Sequence, residues 1–505
     1  MLAKSATFAP RNTILLPVHS QTTKKEIYHQ PILDDTTGFV VCGGSPLGTM
    51  KAASFLVRQR RWPSFSSTLS NSTPRTNAKQ NLSRRPLSSA IPDKKGVFQN
   101  KNPIVAELWA SREAAKKMIG SESPYSLEGK HPSESRVEVF YPFADDEMLR
   151  ATYENPWGQL RFGRVLEDMD ALAGNISFLH VGSPNPVIVT ASVDRIRLTK
   201  RPHISQSQKL SGQVTWTGTS SLEIQMQYES EGEVWLEAHV TFVVLDRETH
   251  RPTKIPPILP ESDLERQYFA AGAKRAAQKK AVRKAQKTPQ ASQEVEQEAR
   301  ELLQKANPLL TMPSLADPYA ILMEKTKLQI AEIAQPQVQN LHNRIFGGYL
   351  MRRAFELAFS TAYVFGGARP IFLEVDTIEF LAPVDVGDLL VFNSRVLYTD
   401  TGKVEDYLEH MTTHCVIEMR GPEEAQDHPV RDDELLPLVH VEVETWVTEP
   451  EKATARLSNQ FYFTFAIVRK SPIRHVLPGT QDEARRMVLR KKSDEEQAAA
   501  DNYEI

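Results

Sequence analysis

Two adjacent glycines, Gly347 and Gly348, open the run HNRIFGGYLMRRAFELAFSTA (residues 342–362), whose apolar spacing is otherwise that of an amphipathic helix. Glycine weakens a helix, so a pair in the first turn needs a reason. The first turn carries N–H groups without intrahelical partners and the positive end of the helix dipole. A carbonyl oxygen that gains charge during nucleophilic attack is stabilised by such donors, and glycines leave room for it to approach. The competing reading is that the glycines serve close packing alone.

Attack also needs a carboxylate, to activate water or to attack directly. Glu356 and Asp170 are the candidates, each in the second or third turn of its own helix. At 1.5 Å per residue, Glu356 lies about 12 Å along the axis from Gly348, and Asp170 about 10 Å from Gly163. Neither acid easily reaches a carbonyl held at the start of its own helix. The donors of one helix must therefore meet the acid of the other. Plainer roles are an i,i+4 pair of Glu356 with Arg352, and exposure of Asp170 beside Glu167 and Asp168. Asn340 and Asn343 stand just before the glycines, where an amide holds a water, orients a carbonyl or closes a turn.

The elements that would position these residues occur twice. NPWGQLRFGRVLEDMDALAG (155–174) and NLHNRIFGGYLMRRAFELAF (340–359) each place an Asn eight residues before a Gly, Asn155 to Gly163 and Asn340 to Gly348. Each half continues from its helix into an extended segment with VDRI (193–196) or VDTI (375–378), then into alternating strands. The pattern predicts an α+β layout, an internal duplication of one long helix with a largely antiparallel sheet. The first half departs at Pro156 and at Arg164, which follows Gly163 where the second half has Tyr349. A second complete site is therefore in doubt.

Composition narrows the partners. A net charge of -2 gives no global reason to expect nucleic acid, and Cys42 and Cys415 alone build neither a disulfide framework nor a cysteine zinc site. No stretch of about 18 apolar residues predicts a membrane span. Residues 36–92 contain no Asp or Glu but many Arg, Lys and Ser, a transit-peptide composition. Residues 1–95 are read as a leader, with Met50 as an alternative start. The Ala-, Lys-, Gln- and Glu-rich residues 261–312 read as a helical connector interrupted at Thr288-Pro289, between units at 135–260 and 313–470, with 471–505 as a charged tail. His410 and His414 alternate on a strand without a third ligand in view, so no metal site is expected. No G-x-S-x-G, phosphate loop or G-x-G-x-x-G occurs.

NRIFGGYLMRRAFELA, FGGARPIFLEVDTIEFLAPVDVGDLL, RFGRVLEDMDAL and VTWTGTSSLEI, taken in order, resemble acyl-coenzyme A thioesterases with two hot-dog domains, of the mitochondrial acyl-coenzyme A thioesterase 9 type. The likeness runs from about Tyr141 to Val468. It implies a tandem hot-dog fold, each lobe a sheet wrapped round a central helix, and hydrolysis of an acyl-coenzyme A thioester without a cofactor. It implies Asn340, Gly347 and Gly348 facing Asp170, with Glu356 beside the weaker first loop. Gly163, Asn343 and Arg352 are expected to touch substrate, with Arg353, Lys200 and Arg201 as further candidates for coenzyme A phosphates. A homo-oligomer, up to three double units round one axis, and the mitochondrial matrix follow from the same likeness. The alternatives are a hydratase of related fold, which needs a catalytic His with an Asp or Glu where only His342 lies near the glycines, and a non-catalytic acyl-coenzyme A sensor. Acyl chain length is not legible.

Overall fold

The computed structural model describes residues 103–119, 125–194, 196–198, 203–285, 289–340, 344–376, 378–400 and 435–501. The leader, Lys200, Arg201, Asn343, His410 and His414 lie outside them. The helices are α1 (Pro103–Ile119), α2 (Pro132–Ser135), α3 (Glu147–Tyr153), α4 (Phe162–Val181), α5 (Asp263–Ala285), α6 (Pro289–Thr311), α7 (Gly347–Gly366) and α8 (Gln481–Asp501). The first half contributes strands β1 (Val137–Tyr141), β2 (Val187–Val193), β3 (Ile196–Leu198), β4 (Gln208–Thr217), β5 (Ser221–Ser230) and β6 (Glu233–Leu245). The second contributes β7 (Ala320–Leu322), β8 (Leu328–Ile333), β9 (Pro370–Val375), β10 (Ile378–Phe380), β11 (Leu389–Asp400), β12 (Leu438–Glu449), β13 (Thr454–Ile467) and β14 (His475–Leu477).

α4 and α7 are the two central helices, each 20 residues long and each ended by a glycine in the left-handed region, Gly182 (φ 67°) and Gly367 (φ 70°). Val165, Met169, Leu172 and Ile176 recur at helical spacing on α4 and are fully buried. Met351, Ala354, Ala358 and Ala362 do the same on α7. Burying each large side chain contributes about 1.5–3 kcal/mol, enough to hold both helices against the sheet.

Twelve of the described strands form one sheet of order β1-β4-β5-β6-β2-β10-β13-β12-β11-β8, with β3 paired to β6 and β9 and β9 also to β13, while β7 and β14 pair in parallel as a separate two-stranded sheet. The halves meet at the two short motifs noted in the sequence. Val193 pairs with Ile378, and Ile196 with Val375, all antiparallel. Each motif thus pairs with its own copy, as in a two-fold interface between identical chains.

The connector and the tail prove to be working parts of the fold. On α5, Arg275 bonds Glu223 of β5 (2.6 Å) and Lys279 bonds Asp194. On α8, Arg486 pairs with Glu442 and Glu444 of β12, and Arg490 with Asp376. Asp194 and Asp376 are the acids of the two paired motifs. Through residue 501 the charged segment 471–505 includes the strand β14 and the helix α8, whose Arg486 and Arg490 supply countercharges for buried Glu442 and Glu444 on β12 and for Asp376 just after β9. α6 packs on α8 through Val295, Ala299, Ala484 and Val488.

Candidate active site

The start of α7 meets the middle of α4. Phe346 caps α7 without a side-chain bond, and Gly347 and Gly348 are its first two helical residues. The Gly348 N–H donates to Asp170 Oδ2 at 2.8 Å, and the Thr190 hydroxyl donates to Asp170 Oδ1 at 3.2 Å. Asp170 is only 6% exposed, so the surface role weighed for it does not hold. Burial pushes its carboxyl up to about 6, against the Gly348 and Thr190 hydrogen bonds and the charge of Arg112, while Glu167 pushes it further up.

The two glycines divide their work. A Cβ on Gly348 would stand 2.9 Å from the Glu167 backbone, so only glycine lets the two helices cross this closely. A Cβ on Gly347 would meet Asp170 Oδ2 and Phe380 at 3.1 Å. The packing reading holds for Gly348, while Gly347 keeps the approach to the carboxylate open.

Asp170, Thr190, Gly347 and Asn340 line a cavity of about 520 Å³. Its apolar wall includes Ile188, Phe242, Ile345, Leu350, Phe380 and Val384; Arg112, Arg247 and Arg344 bring positive charge to it, and His250 also lines it. Asn340 Oδ1 accepts from the Arg344 N–H at 3.1 Å, closing the loop that leads to the glycines. Asn155 closes its own loop in the same way, from the Gln159 N–H at 3.0 Å. The turn-closing role weighed for these Asn residues is therefore real; lining the cavity is what Asn340 adds.

The other candidates stand elsewhere. Glu356 lies outside the cavity and pairs with Arg161 at the start of α4 and with Arg353 at 3.5 Å, not with Arg352. Gly163 faces the other central helix, where a Cβ would meet Arg352 Cγ at 3.0 Å and Phe355 Cδ1 at 3.6 Å. Arg352 sits 3.5 Å from Glu167 with its side chain 16% exposed, and Arg353 is held by Glu332 at 2.9 Å. Arg352, expected to touch substrate, is not among the residues lining the cavity and stands against Glu167 in the helix interface.

Thr190 escaped the sequence reading. VIVTASV alternates like any half-buried strand, and nothing local tells which residue faces a carboxylate twenty positions earlier.

No family model matches the chain. The acyl-coenzyme A thioesterase 4, mitochondrial, of Humulus lupulus is 38% identical over 78% of this chain and 73% of its own length. The acyl-coenzyme A thioesterase 2, chloroplastic, of the same plant is 36% identical over 77% of this chain and 88% of its own. The human acyl-coenzyme A thioesterase 9, mitochondrial, is 36% identical over 57% and 70%. Among solved structures, an acyl-CoA hydrolase from Staphylococcus aureus with butyryl coenzyme A and coenzyme A aligns at a TM-score of 0.28 and 24% identity, over 34% of this chain and 98% of that one. With over a third of its residues identical across most of both chains, this protein belongs to the acyl-coenzyme A thioesterase family.

Proposed function

We infer that the chain hydrolyses acyl-coenzyme A thioesters to the free acid and coenzyme A, at the cavity between α4 and the start of α7. The observation that carries the site is the Gly348 N–H bonded to Asp170, an acid of one half held at the glycine pair of the other. Asp170 acts as general base. Its carboxyl, raised to about 6 by burial, is ionised at neutral pH and still basic enough to take a proton from water. Thr190 and Gly348 fix one oxygen each, which aims the carboxylate.

The attacking water loses its proton to Asp170 as its oxygen bonds to the thioester carbon. The carbonyl oxygen becomes an oxyanion at the N-terminus of α7, where Gly347 offers backbone and no side chain. Collapse expels the coenzyme A thiolate, which takes the proton back from Asp170 and leaves the carboxylate ionised again. Asn340 orients water or carbonyl from the loop. Arg247, His250 and Arg344 replace Arg352 as the groups set to meet coenzyme A phosphates.

The halves are read as a tandem hot-dog, each wrapping its own central helix. The acid-free segment 36–92 and the names of two of these relatives support a mitochondrial destination, although another relative is named chloroplastic. Assembly into homo-oligomers is carried over from the family likeness.

Release of free thiol from a panel of acyl-coenzyme A substrates tests the reading. Hydrolysis abolished by Asp170→Asn supports it. A folded wild-type chain that binds the panel without releasing thiol is a sensor instead.

A further inference from the structure

Among the described residues, α1 has no spatial counterpart in the second half. At the same remove before α7 stands α6, and α6 packs on α8 instead of on a central helix. α1 lies on α4 with Ile104, Val105, Leu108 and Trp109 buried, and Asn175 Nδ2 donates to the Leu108 carbonyl at 2.8 Å.

Two α1 side chains reach the cavity, Trp109 and Arg112. Trp109 meets Phe346 edge-on, with ring centroids 5.3 Å apart at 87°, and Phe346 is the residue that caps α7 just before Gly347. Arg112 lies along the stripe Asp170, Gly174, Phe178, three residues four apart on one face of α4. Its guanidinium carbon is 5.2 Å from the Phe178 ring centroid. A Cβ on Gly174 would come within 3.3 Å of Arg112 Nη1. Glycine inside a helix is unfavourable, and here it makes room for a guanidinium beside the carboxylate.

We propose that α1 is a third wall of the active site, in which Arg112 is a positioning residue that keeps the Asp170 carboxylate charged and aimed, and Trp109 fixes Phe346 and with it the start of α7. The proposal rests on Asp170 as the base.

The electrostatics agree with this placement. Asp170 is buried, so its charge needs support: the Gly348 N–H, the Thr190 hydroxyl and Arg112 favour the ionised form, and Glu167 opposes it. Burial brings Arg112 down to about 10, against Glu113 and Asp170, so it stays charged at neutral pH. Glu167 is itself held by Arg164 and Arg352. Arg247, Arg344 and the titratable His250 complete the ionisable groups at the cavity.

The test is the pH profile of kcat/KM on a saturated acyl-coenzyme A, with the full chain and its Arg112→Met, Arg112→Lys, Trp109→Ala and Asp170→Asn variants. Arg112→Met is expected to move the acid limb to higher pH by about half a unit or more, because removing a nearby opposite charge raises a carboxyl. Arg112→Lys, which keeps the charge, restores most of the limb, a recovery that a merely structural arginine would not give. Trp109→Ala lowers kcat with the limb in place. If the Met variant does not fold, Arg112→Gln takes its place. An unmoved limb in the Met or Gln variant, with Asp170→Asn inactive, overturns the role of Arg112 and leaves Asp170 as base. Unchanged kcat in Trp109→Ala overturns the role of Trp109. An active Asp170→Asn overturns the base itself and this proposal with it.

Discussion

Asp170 and Phe355 occupy the same place in the two halves. Each is the ninth residue of a 20-residue central helix, and each faces the second residue of the other helix, Gly348 for Asp170 and Gly163 for Phe355. On one side of this exchange is a hydrogen-bonded carboxylate. On the other is a ring packed among Phe162, Phe372 and Phe463, with centroids 5.4, 5.1 and 5.8 Å away. One side thus presents a hydrogen-bonded carboxylate to a cavity, and its mirror position is filled with hydrocarbon.

Loss of the base is expected to be severe and one-sided. Asp170→Asn lowers kcat by about 10²-fold or more, the usual cost of removing a general base. Glu356→Gln loses only its pairs with Arg161 and Arg353, so kcat stays within a few-fold of wild type. Steady-state thiol release on both folded variants decides this, and the reverse ranking would place the chemistry in the first-half loop.

The same carboxylate sets a pH dependence. With Asp170 raised to about 6, kcat/KM is expected to fall as pH drops through that value, since the base must be ionised. Stability moves the other way. The folded carboxyl binds its proton more tightly than the unfolded one, so the cost of the buried charge is full above about 6 and disappears as pH falls towards 4. Asp170→Asn removes that cost and is expected to be more stable than wild type at pH 7.5, by up to about 3 kcal/mol. Urea titrations at pH 7.5 and pH 4.5 check it, with the difference confined to the higher pH.

The paired asparagines separate folding from catalysis. Asn155 and Asn340 both close a loop, so alanine at either position costs about 1 kcal/mol of stability. Only Asn340 lines the cavity. Asn340→Ala is expected to lower kcat by about 10²-fold, and Asn155→Ala to leave it near wild type. Thermal melts alongside kinetics would expose a purely structural Asn340 through equal effects of the two.

Neither half is expected to work alone. Residues 313–505 expressed without the first half lack Asp170 and Thr190, and they expose the edge that pairs Ile378 and Val375 with Val193 and Ile196. Such a fragment is expected to be inactive and to self-associate. Wild-type specific activity in a monomeric fragment would defeat the cross-helix arrangement.

Delivery has its own test. A fluorescent protein fused behind residues 50–95 is expected to enter mitochondria, given the acid-free basic composition there. Cytosolic or plastid fluorescence would count against it.

The glycine pair, the carboxylate and their need for each other were legible because helical rise is a fixed ruler, and because the duplication showed the same spacing twice. Thr190 and Arg112 were not. Each reaches Asp170 from an element far along the chain, and neither sits in a pattern that marks which way it points. The roles of α5 and α8 were hidden for a related reason. A helix that is polar nearly all round reads as solvated, and only the sheet reveals that Arg275, Lys279 and Arg490 answer acids on buried strands. An arginine near a substrate loop invites an anion, and the nearby anion in the structure is Glu167.

The seam where Val193 meets Ile378 and Ile196 meets Val375 is that of two identical subunits, yet here a single polypeptide runs through both sides. In a pair of identical chains every substitution arrives twice, so an acid at the ninth helical position on one side dictates an acid on the other. Joining the copies end to end lifts that bond. Each copy then answers to its own codons, and one is free to keep an acid where the other trades it for a ring that adds to the core. The two clefts have become different places, a buried carboxylate in one and a cluster of rings in its twin.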